Sequence, residues 1–220
     1  MQSWEIFAKK IYIPFDAEKN IIEQFEGYFQ LKDPPIIAWD ENNMPKYPEG
    51  YDHVSCNETT LLKQPDILML LYILPDQFSD EIKKANYDFY EPRTMHKSSL
   101  SPSIHSIMGI EIGNTEKALQ YFERSAYVDL VDNQGNTEWG MHIASAGGTW
   151  QAVVFGFGGM RVKNGQLHFK PWLPDNWNST QFKIQWQKGE LQVDIQKGNI
   201  NFIWNNTENT PIHLVVNGTA

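Results

Sequence analysis

The residues best suited to bind an anion lie in one short segment rich in serine. His96 and Lys97 come directly before Ser98 and Ser99. Adjacent hydroxyl groups beside an ammonium group can donate neutral and charge-assisted hydrogen bonds to an anion such as phosphate. The same serines could equally cap the helix that apolar spacing predicts over residues 104–112. The segment by itself leaves both interpretations open.

A second segment, residues 140–150, combines one histidine, one serine and two adjacent glycines. These residues are His142, Ser145, Gly147 and Gly148. Glycine allows backbone N–H groups to approach a ligand closely, and a helix that begins here would add the positive end of its dipole. The alternative is that the small residues permit close contact between helices. The spacing matches neither a Walker loop nor a dinucleotide-binding fingerprint.

A third polar pair, Lys63 and Gln64, offers several hydrogen-bond donors and one acceptor. This combination complements the vicinal hydroxyls of a sugar. The competing interpretation is a polar start to a helix predicted over residues 59–74. The six histidines of the chain are scattered without a matching carboxylate pattern, and no Gly-x-Ser-x-Gly elbow occurs, so the sequence predicts neither a metal site nor that type of serine nucleophile.

The composition excludes several classes of function. With 18 Lys and Arg against 27 Asp and Glu, the net charge of −9 argues against a nucleic-acid binder. The longest apolar run, Ile67 to Leu74, is too short to cross a membrane. A single cysteine, Cys56, and an N-terminus without the pattern of a signal peptide predict a reduced, cytoplasmic location. The aromatic share of 13% suits either core packing or platforms for sugar rings.

Before residue 160, the sequence predicts mainly helices, and these must position the three polar segments. Apolar residues recur at helical spacing in five places, which predicts helices over residues 21–29, 59–74, 79–90, 104–112 and 115–130. Ser79 and Thr115 are the predicted N-caps of two of them. Residues 31–59 and 90–103 are predicted to be long loops, and loops of this length in a compact domain are usually functional or disordered.

After residue 160 the apolar residues alternate with polar ones, which predicts strands. Asn164 and Gly165 form the signal for a type I′ hairpin turn. The later alternating segments lie near residues 182–186, 191–195, 200–204 and 212–216. The sequence therefore predicts an α+β chain in which helices over residues 1–160 precede a small antiparallel β-sheet or sandwich over residues 161–220.

Three motifs share the order and spacing of one enzyme family. They are Leu62–Asp66, His96–Ser101 and Gly140–Trp150, and the segments around Trp4–Pro14, Phe25–Phe29 and Pro171–Trp177 are also similar. The chain thus resembles glycoside hydrolase family 65, which includes inverting maltose, trehalose and kojibiose phosphorylases. The resemblance implies that residues 1–160 are the closing helices of an (α/α)6 catalytic barrel and that residues 161–220 are its C-terminal β-sheet domain.

The resemblance also implies a reaction. Phosphate attacks the anomeric carbon of an α-linked glucose disaccharide from the face opposite the departing sugar, and β-glucose 1-phosphate forms with inversion. Disaccharide and inorganic phosphate are then the partners, and no metal or organic cofactor is implied. The family's general acid is a glutamate in a Gly-Pro-Asp-Glu-Tyr-His-like motif. No such motif occurs in these residues, so the acid is expected upstream, no catalytic residue is assigned, and the chain alone is expected to be inactive.

Site residues follow from the same resemblance. Lys63 and Gln64 would bind hydroxyls of the transferred glucose. The phosphate would be bound by six residues that must converge on one ion, namely Ser98, Ser99, His142, Ser145, Gly147 and Gly148.

Two other functions stay open at this point. The chain could belong to a hydrolase of the same architecture with water in the phosphate pocket, or it could be a noncatalytic carbohydrate-binding or assembly fragment. Apolar positions of the predicted second helix, Ile67, Leu70, Leu71 and Ile73, would partly face absent helices. We therefore expect a homo-oligomer, poor solubility or association with the missing N-terminal part.

Overall fold

The computed structural model describes residues 2–219, which form two compact units, one ending at Ser101 and one beginning at Pro102. The first unit holds helices α1 (Gln2–Lys10), α2 (Asp66–Ile73) and α3 (Asp80–Tyr90) and the short strands β1 (Phe15–Asp16) and β2 (Ile21–Ile22). The second holds helices α4 (Ser101–Glu111), α5 (Thr115–Ala126) and α6 (Ile143–Gln151) and the strands β3 (Arg161–Lys163), β4 (Gln166–Phe169), β5 (Ser179–Trp186), β6 (Gly189–Gln196), β7 (Asn199–Asn206) and β8 (Leu214–Val216).

Buried tyrosines hold the irregular segments of the first unit to its helices. Helix α3 begins after Ser79, whose hydroxyl accepts the N–H of Ile82 at 3.4 Å, so this predicted cap is confirmed. Its last residue, Tyr90, is fully buried and donates its hydroxyl to the carbonyl of Ile22. Tyr28, also fully buried, donates to the carbonyl of Thr60. These bonds satisfy polar groups that burial would otherwise leave unpaired.

Two predicted helices of the first unit are wrong or too long. Residues 21–29 form strand β2 and a separate 3₁₀ turn, because the side chain of Asn86 takes the N–H of Ile22 at 2.9 Å and Gly27 adopts a φ of 87°. The helix predicted over residues 59–74 begins only at Asp66, directly after Pro65. Proline disfavours helical backbone in the residue before it, which explains the late start.

Small residues allow the helices of the second unit to approach one another. A Cβ added to Gly109 in α4 would lie 3.0 Å from the Cβ of Ala118 in α5. Helix α5 is capped by the side chain of Asn114, which accepts the N–H of Lys117 at 3.4 Å, so the predicted cap at Thr115 is displaced by one residue. Helix α6 continues into a π-helical turn over Ala152–Phe157.

The strands that follow form two three-stranded sheets. Strands β5, β6 and β7 are antiparallel, and the second sheet has the order β3-β4-β8. Asn164 and Gly165, with φ values of 51° and 75°, form the predicted tight turn between β3 and β4. Strand β8 pairs with β4 in parallel, which corrects the expectation of an entirely antiparallel arrangement. The apolar sides share a core that includes Leu167, Leu191 and Val193.

The chain therefore combines helices with small antiparallel and mixed sheets, as the predicted α+β class requires. Within residues 2–219, no helix is both long and apolar enough to cross a membrane. The expected exposure of α2 is only partly right, since Ile67 and Leu71 are buried whereas 61% of Ile73 is exposed. The division of the chain into domains at residue 160 stays a prediction.

Candidate functional site

A parallel backbone bridge links the start of the sugar segment (Lys63 and Gln64) to the start of the serine segment (His96 to Ser99). Leu62 pairs with Thr94, and Met95 donates its N–H to the carbonyl of Leu62 at 2.7 Å. Chains that pair in parallel leave the bridge in the same direction. The segments that begin at Lys63 and Met95 therefore leave the bridge in the same direction within the first unit.

The sugar segment includes a polar cluster that sequence spacing alone did not reveal. Lys63 is exposed, while the half-buried Gln64 donates its amide to Asp66 at 3.4 Å. Gln24 donates to the other carboxylate oxygen of Asp66 at 2.7 Å. The Oε1 atom of Gln24 is buried and has no hydrogen-bond partner among the described residues. The Gln24 amide therefore supports Asp66 from inside the fold.

The serine segment is rigid at its beginning and accessible at its end. His96 is buried with a φ of 50°, and its Nδ1 lies 2.7 Å from the Ser101 hydroxyl, so this ring is used within the fold. Ser98 and Ser99 are half-buried in the turn that follows. The Ser98 hydroxyl accepts the N–H of Leu100 at 3.3 Å, a local bond of the capping type. That bond uses the oxygen as acceptor and leaves the hydroxyl proton as a donor.

In the second unit, a carboxylate that sequence analysis did not identify holds His142. Asp129 accepts the backbone N–H of His142 at 2.8 Å through Oδ2, and its Oδ1 lies 2.5 Å from the ring Nδ1. This contact fixes the proton of the ring at Nδ1 and leaves Nε2 for a ligand. The hydrogen bond from the His142 ring, in turn, holds the pKa of the Asp129 carboxyl below its ordinary value. An aspartate thirteen residues earlier on a loop gives no recognisable spacing signal.

The two adjacent glycines lie inside α6, because that helix begins at Ile143 and not at the glycines. Their N–H groups therefore belong to the helix, which corrects the expectation that they line its N-terminus. A Cβ added to Gly148 would lie 2.5 Å from the Ser103 hydroxyl, whereas a Cβ on Gly147 would meet nothing within 4 Å. Gly148 thus permits close helix contact, and Gly147 presents open backbone.

Ser145 is fully buried between α5 and α6. Its hydroxyl donates to the carbonyl of Ser125 at 3.2 Å, and Thr149 donates to the carbonyl of Ser145 at 2.9 Å. This geometry favours a packing role for Ser145 over direct contact with phosphate.

The predicted site residues consequently form two groups, each ordered within its own unit. Lys63, Gln64, Ser98 and Ser99 belong to the first unit, and His142, Ser145, Gly147 and Gly148 belong to the second. Their convergence on a single phosphate ion stays a prediction. Among residues 2–219, no group of three or more His, Cys, Asp or Glu side chains is arranged to hold a metal ion.

Comparison with known proteins decides the family. The family model of the glycosyl hydrolase family 65 central catalytic domain matches residues 1–151, and that of the family 65 C-terminal domain matches residues 160–220. The chain belongs to glycosyl hydrolase family 65. The resemblance that the three motifs indicated is therefore confirmed.

Relatives within family 65 include several phosphorylases. Over 90% of its length the chain is 52% identical to kojibiose phosphorylase from Thermoanaerobacter brockii, and over 98% it is 33% identical to maltose phosphorylase from Bacillus subtilis strain 168. A solved structure from the human microbiome, named as a kojibiose phosphorylase, matches 96% of the chain with a TM-score of 0.85 and 36% identity. The chain spans 26% and 28% of the two curated relatives and 28% of the solved chain.

Proposed function

We propose that this chain is part of an inverting disaccharide phosphorylase that converts an α-linked glucose disaccharide and phosphate into β-glucose 1-phosphate and a free sugar. Membership of family 65 supports the reaction class. The observation that carries the proposal is the bridge between Leu62 and Thr94, because the segments that hold Lys63 and Gln64 and that hold Ser98 and Ser99 both start from it. Among the named disaccharides, kojibiose is favoured by the 52% identity to a kojibiose phosphorylase, against 33% for a maltose phosphorylase.

In this proposal Lys63 and Gln64 bind hydroxyls of the transferred glucose. Gln24 and Gln64 both donate to the Asp66 carboxylate, which helps to hold the Gln64 amide in place. A pocket that hydrogen-bonds several hydroxyls at once fixes the position of the anomeric carbon, which an in-line attack requires.

The phosphate is held by Ser98, Ser99 and His142, with the open backbone at Gly147 allowing close approach. The hydroxyls donate neutral hydrogen bonds, and a protonated His142 ring donates a charge-assisted one from Nε2. Phosphate takes the place of the water and its assisting base in an ordinary inverting hydrolase, so no second carboxylate is needed. Phosphate is therefore a co-substrate and not a cofactor.

The helices of residues 1–160 are proposed to belong to an (α/α)6 barrel, and residues 161–220 to the C-terminal sheet domain. The general acid is proposed to lie outside these 220 residues, since no glutamate here stands in the family's acid motif. General acid catalysis contributes roughly 10²–10⁴-fold, so the 220-residue polypeptide is expected to be inactive alone.

Exposed apolar side chains support association with further elements. Trp4 and Phe7 in α1 are 77% and 64% exposed, and Trp139 and Ile143 near His142 are 82% and 76% exposed. Surfaces of this type normally pair or aggregate. We therefore expect the isolated chain to self-associate, which analytical ultracentrifugation would show. A compact monomer would contradict the expectation.

Complementation tests the function. The N-terminal part of the Thermoanaerobacter brockii kojibiose phosphorylase, up to its region of similarity, would be co-expressed with this chain and supplied with kojibiose, trehalose, maltose or nigerose plus phosphate. We expect β-glucose 1-phosphate from the mixture and none from this chain alone. Glucose release without phosphate would favour the hydrolase, and turnover by the isolated chain would contradict the assignment of the acid.

Two matched pairs of variants test the roles within the complemented enzyme. Ser98→Ala is expected to raise the KM for phosphate roughly tenfold, because it removes a hydrogen bond to a charged group, whereas Ser179→Ala at an exposed strand end should not. Lys63→Ala is expected to raise the KM for disaccharide, whereas Lys46→Ala should leave it unchanged. Equal effects within either pair would remove support for that role.

A further inference from the structure

The second unit contains a cleft that the proposed reaction does not use. It has a volume of about 360 Å³, at the lower end of the roughly 300–1,000 Å³ typical of small-molecule sites. Its lining includes Trp172, Asp175 and the turn that joins β6 to β7, from Gln196 to Asn199. The cleft therefore combines an aromatic ring with several hydrogen-bonding side chains.

Trp172 is a rigid aromatic surface in this cleft. Its ring stacks on that of Phe157, with centroids 5.7 Å apart and an interplanar angle of 21°, and its backbone N–H donates to the Phe157 carbonyl at 2.9 Å. Phe157 is fully buried and contacts Trp177 at 4.5 Å between centroids. The stacked contact with Phe157 therefore restrains the Trp172 ring at the wall of the cleft.

The polar side of the cleft is held by the turn after β6. Gly198, with a φ of 77°, closes this turn. The ammonium group of Lys197 donates to the backbone carbonyl of Asp175 at 2.6 Å, which ties the turn to the segment that carries Trp172. The ammonium group has three donors, so further donors can reach a ligand. The carboxylate of Asp175 is exposed and accepts only.

Two exposed amides complete the polar side. Gln196 donates to Asp194 at 3.3 Å, and Asn199 donates to Asn201 at 3.4 Å. Each of these bonds orients an amide group without exhausting its two N–H donors and its carbonyl oxygen. Oriented amides that offer a donor and an acceptor side by side match a pair of adjacent hydroxyl groups.

We propose that this cleft binds a glucosyl residue of a neutral oligosaccharide, as a carbohydrate site separate from the residues proposed for catalysis. The aliphatic C–H groups of a pyranose pack against the negatively polarised face of an aromatic ring. The amides, the ammonium group and the carboxylate complement hydroxyls as donors and acceptors. A chain with a net charge of −9, whose cleft lining also includes the Asp175 carboxylate, is poorly suited to an anionic ligand at this place.

Hydrogen–deuterium exchange of the full 220-residue chain tests the site. The measurement can be made even if the chain self-associates. Maltotriose is the probe, and inorganic phosphate is the anionic comparison. We expect maltotriose at roughly 10 mM, a concentration suited to weak sugar binding, to slow exchange of the peptide that covers residues 195–200. Phosphate should leave that peptide unchanged.

Matched lysine variants at opposite ends of β6 supply the control. Lys197→Ala is expected to raise the half-maximal maltotriose concentration about fivefold, the loss that one hydrogen bond accounts for. Lys188→Ala, in the turn before β6, should leave it unchanged. Trp172→Tyr, which keeps an aromatic face beside Phe157, should retain binding, whereas Trp172→Ala at an unchanged melting temperature should lose it.

Several results would overturn the proposal. They are no protection of residues 195–200, equal protection by phosphate, or equal loss of binding in Lys197→Ala and Lys188→Ala. None of them bears on the complementation assay, which reports the proposed reaction, so failure of one proposal is distinguishable from failure of the other.

Discussion

The C-terminal sheets and the helical segments differ in how completely they bury their apolar side chains. In the sheets Leu191 and Val193 are fully buried, and Ile195 is 2% exposed. In the helical segments large side chains such as Trp4 and Trp139 are 77% and 82% exposed. Strand alternation lets two small sheets close a core between them, whereas an amphipathic helix needs a neighbour for its apolar face. The described residues therefore form a closed sheet region and leave large apolar side chains of the helical segments exposed.

The largest expected change in the free energy of unfolding comes from a substitution in the sheet core. Leu191→Ala removes a fully buried side chain and is expected to lower the free energy of unfolding by about 2–5 kcal/mol. Leu130→Ala, at a position 76% exposed, should change it by less than about 0.5 kcal/mol. Denaturant unfolding followed by circular dichroism would measure both. Similar losses in the two variants would show that the sheets are not the better-closed region.

The strands were the part of the fold that the sequence predicted best. Alternation over residues 182–186 and 191–195 depends only on neighbouring residues, and the structure has strands across both segments. The parallel pairing of β8 with β4 could not be predicted, because the partner of a strand is set by packing far away in sequence. The helix predicted over residues 21–29 was wrong for a similar reason. The side chain of Asn86, on a helix distant in sequence, accepts the N–H of Ile22.

The sequence suggested candidate site residues, but it did not indicate the side chains that hold them in place. Ser98, Ser99 and His142 stand in motifs that the family shares. Asp129, which holds His142, lies on a loop without periodicity, so only the structure identifies it. The Gln24 amide was likewise hidden inside a segment predicted to be a helix.

A smaller change in stability is expected from substitutions of the two adjacent glycines in α6. Gly148→Ala is expected to destabilise the chain by about 1–3 kcal/mol, because its Cβ would lie 2.5 Å from the Ser103 hydroxyl. Gly147→Ala is expected to stabilise it by about 0.5–1 kcal/mol, since the added Cβ meets open space and alanine favours helix. Thermal unfolding of the two variants would show shifts of opposite sign. Equal destabilisation would mean that both glycines serve packing.

Association should respond to the exposed helical surface and not to the sheets. Replacing Trp4 and Phe7 together by serine is expected to reduce self-association with little change in melting temperature, because both side chains are largely exposed. Replacement of Ile203, which is 52% exposed on β7, is the control and should change association less. Sedimentation velocity over a range of concentrations would measure both. A stronger response to the Ile203 change would place the contact surface on the sheet instead.

The smallest expected effect concerns the hydrogen bonds between Asp129 and His142, which order the loop before α6. The pKa of Asp129 is lowered in the folded chain, chiefly by the hydrogen bond from His142, so the contact stabilises the loop at pH values above the unfolded-state pKa of the aspartate. That stabilisation is lost as the pH falls through the lowered folded-state pKa. Asp129→Ala should therefore speed hydrogen exchange of the His142 amide at neutral pH, since the Oδ2 acceptor 2.8 Å away is removed.

The variant and the natural chain should become alike as the pH falls through the lowered folded-state pKa of Asp129, because the carboxyl is then protonated. Glu138→Gln, at an exposed carboxylate on the same loop, should leave the exchange rate unchanged across this range. Exchange rates relative to intrinsic values, compared at pH 7 and at acidic pH, would make the measurement. An Asp129→Ala effect that persists unchanged in acid would mean that packing, and not the charge of the carboxylate, holds His142. His142 would then be held by packing, as the side chains of the sheet core are.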